Sequence, residues 1–148
     1  MKLWGYIMKQ TVHFDRDLKY DNKKKNIICD FVKFCSKCLN VNDKSFSVYI
    51  KSQRGGQEPI VTTAAYDPNS KKCYVYGKER ATVDVCRSIA HEMTHMMQDF
   101  NGDLVGLIKD VGGFHEDQAN AKAGEIIKRF AYSNDDRMKI YESYSRFI

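Results

Sequence analysis

The stretch Ile89-Ala90-His91-Glu92-Met93-Thr94-His95-Met96-Met97-Gln98 constrains this chain more than any other. On a helix, two histidines four residues apart stand one turn above each other, with Cβ atoms about 5–6 Å apart, so both rings reach one metal ion. Such a pair demands a helix, a cleft beside it and a third ligand from elsewhere in the chain. Glu92 directly follows His91 and is turned about 100° around the axis, close enough to touch a metal-bound water without ligating the ion. That is the station of a general base. A zinc-bound water has its pKa lowered from about 15.7 to about 7, and a neighbouring carboxylate can take its proton as the water attacks a polarised carbonyl.

The flanking residues support a helix here. Thr82 is the expected N-cap, with Asp84 in the first turn where negative charge suits the helix dipole. Val83, Cys86, Ala90, Met93, Met97 and Phe100 recur at steps of three and four as a buried stripe, with His91, His95 and Gln98 on another flank. Asn101-Gly102 supplies the stop.

The third ligand is expected after the loop that runs to Gly113. Glu116, Ala119, Asn120 and Ala123 share one helical face, and the small side chains let that helix approach the first closely. A carboxylate at the head of this face points at the metal. His115 is the rival ligand, because imidazole binds zinc equally well and lies next to Glu116. Glu125 falls on another face beside Ile126 and Ile127 and is expected in solvent. Two histidines and a carboxylate also suit Fe(II) in an oxygenase, but the adjacent glutamate on a helix favours zinc, one ion per chain.

His91-Glu92-Met93-Thr94-His95 followed by Glu116-x-x-Ala119 resembles the zincin metallopeptidases, in particular the gluzincin branch. The extended His-Glu-x-x-His-x-x-Gln pattern is similar to small zincin-like proteins of bacteria and phages, and Asn120 after Ala119 is similar to the glutamate helix of ImmA/IrrE-like peptidases. The resemblance covers roughly residues 60 to 130. It implies a minimal zincin fold, peptide-bond hydrolysis with Glu92 as general base, and His91, His95 and Glu116 as zinc ligands. It also implies an edge strand along the cleft, for which residues 60 to 66 are the candidate, since an extended substrate adds to such an edge by main-chain hydrogen bonds. Peptidases of this type often add a Tyr or His that stabilises the oxyanion. Tyr132, Tyr141, Tyr144, His13 and His115 are the candidates, and no motif chooses among them.

The rest of the chain reads as one α+β domain over its 148 residues, a length that buries a core without staples. A first helix is expected from Asp21 to about Leu39, with Lys23-Lys24-Lys25 as a solvated face. Ser45 to Ile50, Ile60 to Tyr66 and Cys73 to Tyr76 read as about three strands of a small antiparallel or mixed sheet, with Ser52 to Pro59 as a loop. Residues 1 to 14 alternate loosely, as a strand or docked arm. Ser133 to Asp136 caps a final helix through Phe147, with Met138, Tyr141 and Tyr144 on one face.

Five cysteines at irregular spacing argue for reduced thiols and a cytoplasmic setting, in a host cell or virion if phage-encoded. Cys35-x-x-Cys38 continues the apolar face of the first helix and reads as core. There is no run long enough for a membrane span and no basic-then-apolar leader. The net charge of +5 is dispersed, clustered only at Lys23 to Lys25 and Lys71-Lys72, which argues against a nucleic-acid partner. The expected partner is a protein or peptide substrate. The alternative function is a catalytically weak zincin-fold binding, virion or regulatory protein whose zinc is structural.

Overall fold

The computed structural model describes residues 9–57, 60–104 and 113–142. The protein is α+β, with a four-stranded mixed sheet, a separate two-stranded hairpin and helices packed on one face of the sheet. In order, the elements are β1 (Gln10–Phe14), α1 (Asn22–Cys38), β2 (Phe46–Lys51), β3 (Gly55–Gln57), β4 (Ile60–Thr62), β5 (Ala64–Asp67), β6 (Lys72–Tyr76), α2 (Thr82–Phe100), α3 (Phe114–Ala131) and α4 (Asp135–Met138), followed by a 3-10 turn, Lys139–Tyr141.

α1 forms where expected. The Asp21 side chain accepts from Lys24 N at 2.8 Å, capping the first turn. The helix ends at Leu39 with Asn40 at φ 57°, a left-handed position that Asn tolerates better than most residues. Ile28, Phe31, Val32 and Cys35 are buried at helical spacing. Lys24 departs from the expected solvated face. It is buried, donates from Nζ to the Arg80 carbonyl at 2.6 Å and lies over the Tyr20 ring, and burial pulls its pKa down to about 8.

The sheet order is β1-β2-β6-β5. β1 and β6 both run parallel to β2, and β5 pairs antiparallel with β6 as the edge strand nearest α2. Inward residues alternate along the strands, with Phe46, Val48 and Ile50 on β2 and Cys73 and Val75 on β6 fully buried against α1 and α2.

Three expectations are corrected here. The strand expected over 60 to 66 divides at Thr63: its first half pairs with β3, inside what was read as a loop, and its second half joins the main sheet. Gly56, at φ 82°, lets that loop turn back as a strand, and the described residues form four strands in the main sheet and two in the hairpin where about three were expected. The expected final helix lasts one turn, capped by Asn134, before tightening into the 3-10 turn and leaving helical geometry at Glu142. Ile140 is the residue it buries, leaving Met138 and Tyr141 exposed. Tyr144 and the remainder of that predicted helix lie outside the described residues, as does the start of the arm before Lys9.

α2 and α3 pack most closely, through the small residues Ala119 and Ala123. At the far end of α3, Phe130 meets Phe31 and Phe34 edge-on at 5.2 and 5.4 Å, tying α3 to α1. All five cysteines are free, and Cys35 and Cys38 belong to the core as expected. No helix among the described residues is long and apolar enough to cross a membrane.

Candidate metal centre

α2 starts at Thr82 with Ala81 at the cap and no side-chain bond from it, so Thr82 is the first helical residue rather than the expected cap. Its C-terminus follows the sequence: Asn101 is the cap, Gly102 takes φ 79°, and Asp103 N donates back to Gln98 O at 2.8 Å. The buried face is rotated from the expected stripe. Val85, Ile89 and Met96 are fully buried with Cys86, Ala90 and Met93, whereas Val83, Met97 and Phe100 are only partly covered. The apolar side chains of α2 spread over nearly half its circumference, so several overlapping stripes fit the sequence.

This rotation leaves His91 and His95 on the flank that faces α3. Their rings lie 4.9 Å apart, nearly perpendicular. Glu116, in the first turn of α3, reaches between them: Oε1 is 2.9 Å from His91 Nε2 and Oε2 is 2.7 Å from His95 Nε2. Ligand atoms of the three residues all lie within 4.8 Å of one another, and together they can hold a metal ion. An ion bound by all three requires the Glu116 carboxylate, now 2.9 and 2.7 Å from the two ring nitrogens, to draw back from them. The donor set of two imidazoles and a carboxylate suits a divalent transition metal with an open position.

The His95 tautomer is fixed by Gln98. Gln98, completely buried one turn after His95, donates from Nε2 to the His115 carbonyl at 3.0 Å and to Gln118 Oε1 at 2.8 Å. A carbonyl can only accept, so the amide is oriented with Oε1 toward His95 Nδ1, 2.8 Å away. His95 therefore donates from Nδ1 and presents its Nε2 lone pair when neutral, as a metal ligand must. The same glutamine ties α2 to α3 beside Glu116. Gln98 was visible in the sequence as part of the histidine flank, but its role as a clamp on the second helix was not.

Glu92 is buried within the same wall. Burial first, and the neighbouring Glu116 carboxylate second, push its pKa from the ordinary 4.5 up to about 8. It shares with His91 a cleft of about 450 Å³, whose opposite side is Thr62, Thr63 and Ala64 and whose further lining includes Arg87, Ser88 and Asn120. Residues 62 to 64, where β4 gives way to the edge strand, are thus the part of the expected rail that borders the site. Asn120 faces this cleft while Ala119 and Ala123 face α2, so the small-residue face of α3 does carry Glu116 to the histidines.

The other candidates do not converge. His115 stands next to Glu116 and contributes its carbonyl to Gln98, but its ring packs against Phe114 and is not among the clustered ligands. Tyr132 is exposed at the C-cap of α3, sixteen residues or about 24 Å along the axis from Glu116. Tyr141 is exposed in the 3-10 turn, whose neighbours Lys139 and Glu142 border the start of α1 and Thr82, far from the ligands. His13 lies on β1, at the opposite edge of the sheet from β5. Glu125 is exposed, 3.9 Å from Lys122, as expected.

No family model, curated protein or solved structure matches this chain.

Proposed function

We propose that the protein is a zinc-dependent endopeptidase. The observation that carries this reading is the single cleft that holds His91, Glu92 and the start of the edge strand, with His95 and Glu116 completing a three-ligand set beside it. His91, His95 and Glu116 hold the ion, which when bound supplies a Lewis acid for the scissile carbonyl and lowers the pKa of a bound water. Glu92 accepts the proton of the attacking water and returns it to the leaving amine. The edge strand β5 offers main-chain groups to an extended peptide, and Thr62 to Ala64 hold it alongside Glu92.

The alternative of a purely structural metal has no use for a buried carboxylate one residue from a ligand and lining the same cleft. The test is Glu92→Gln, assayed on an unstructured protein substrate with metal content measured in parallel. Zinc retained with turnover reduced by about a thousandfold or more supports the reading, since general acid–base groups contribute about 10²–10⁴. Undiminished turnover overturns the assigned base, and no turnover in the zinc-loaded wild type on any peptide overturns the function.

A further inference from the structure

The outer face of the sheet, away from the helices and the metal centre, carries a ladder of rings in register. His13, Tyr49 and Tyr74 are paired across β1, β2 and β6. His13 stacks on Tyr49 at 4.5 Å and 11°, and Tyr49 on Tyr74 at 5.5 Å and 22°. The next position in that row, on the edge strand, is Ala65, which pairs with Tyr74 and is exposed. Cross-strand partners stand about 4.5–5.5 Å apart, a spacing that fits one more stacked ring, but Ala65 offers only a methyl group. The row of rings stops one rung short of the sheet edge.

A groove of about 330 Å³ lies at that missing rung, lined by Ala65, Tyr74 and Tyr76 on the sheet and by Lys51, Arg54 and Gly56 at its rim. Its cations are disposed around rings. Arg54 lies 4.4 Å over Tyr76 and donates to Thr63 Oγ1, and outside the groove's own lining Lys72 lies 5.5 Å over Tyr49. Lys51 is shared with Asp15 at 3.3 Å, and Lys72 faces its register partner Asp67, whose carboxylate accepts from Ser70 and Asn69 and also feels the charge of Lys72. A planar ring that carries an anionic group matches both features.

We propose that this groove binds single-stranded nucleic acid, with one base stacked on Tyr74 above Ala65 as the fourth rung and its phosphates beside Arg54, Lys51 and Lys72. Stacking on aromatic side chains beside a cationic track is how proteins hold single strands without reading sequence. The scatter of basic residues along the chain argued against such a partner, but the fold brings Lys51 and Arg54, from one stretch, and Lys72, from another, to one side of the sheet. The groove meets the metal cleft at Thr62, Thr63 and Ala64, which line both, while Ala65 and Tyr74 line the groove alone, and its test is read without any peptidase activity.

The experiment is fluorescence anisotropy of a labelled oligothymidylate titrated with the full chain, across a range of salt concentrations. Saturable binding is expected to weaken about tenfold or more in Tyr74→Ala, because a stacked base is lost. It is expected to weaken as much in Ala65→Trp, which fills the rung from the protein side while leaving every cation in place. Arg54→Gln is expected to reduce the slope of log K against log salt by about 0.7, one single-strand phosphate contact. Unchanged zinc content and thermal melting in the three variants confirm that the fold is intact. No saturable binding by the wild type, or binding that Ala65→Trp leaves unaltered, overturns the proposal. Thymidine monophosphate competing as tightly as the oligomer overturns the assignment to a strand.

Discussion

Replacing Gln98 by Leu tests how the metal centre is held. In the wild type the amide makes three bonds: it accepts from His95 Nδ1 at 2.8 Å and donates to the His115 carbonyl at 3.0 Å and to Gln118 at 2.8 Å. Leu fills a similar volume but leaves the part-buried His95 N–H without its acceptor, at about 1–3 kcal/mol, and takes the second donor from the His115 carbonyl, which keeps its bond within α3. It also frees the His95 ring to turn and take the other tautomer. Loss of such a partner typically weakens metal affinity by about 10–100-fold. The assay is zinc competition against a chromophoric chelator, with thermal melting of the metal-free protein beside it. Gln98→Glu separates the two roles. A carboxylate still accepts from His95, so affinity is expected to stay near wild type, but it cannot donate to the His115 carbonyl, so the α2–α3 tie is lost and melting falls. Wild-type zinc affinity in a folded Gln98→Leu protein would refute the assigned role.

Three other outcomes are expected. Metal-free protein should lose stability as pH rises between about 4.5 and 8, because the folded state keeps a proton on Glu92 that the unfolded chain releases. The slope is at most about 1.4 kcal/mol per pH unit, and it should flatten in Glu92→Gln; parallel melting curves for the two proteins would count against the burial argument. Gly77→Ala should destabilise by about 1–3 kcal/mol in urea unfolding, since its Cβ would fall 2.4 Å from the Tyr20 hydroxyl and 2.5 Å from Ile50 Cγ2. That hydroxyl is itself held in place by a 2.6 Å bond to the Gly77 carbonyl, so a neutral substitution would show the contact to be far softer than its packing suggests. Phe130→Ala should cost about 3–5 kcal/mol, because it empties the junction of α1 and α3, and a loss below 1 kcal/mol would contradict that packing.

The ligands were legible in the sequence because their geometry is local. His91 and His95 are brought together by one turn of helix, and Glu116 is aimed by Ala119 and Ala123 on its own helix. α1, β2 and β6 were legible for the same reason, each carrying a clean period of burial and, for α1, a cap at Asp21. Strand pairing was not legible, because alternation fixes which face is buried but not which partner lies beside it. The division of 60 to 66 at Thr63 depends on a hairpin partner at Gly55 to Gln57. The rotation of α2 was hidden by its own apolar richness, and the final helix by a competition between Ile140 and the pair Met138 and Tyr141 for one core position. The clamp by Gln98 required knowing which carbonyl of α3 would lie opposite it.

The proposed metal centre is one ion held by His91, His95 and Glu116. Elemental analysis of purified wild type, Glu116→Ala and His115→Ala tests it most directly. About one zinc per chain in the wild type, lost in Glu116→Ala and retained in His115→Ala, is the predicted result. A wild type without metal, or zinc retained in Glu116→Ala and lost in His115→Ala, would contradict the site as described.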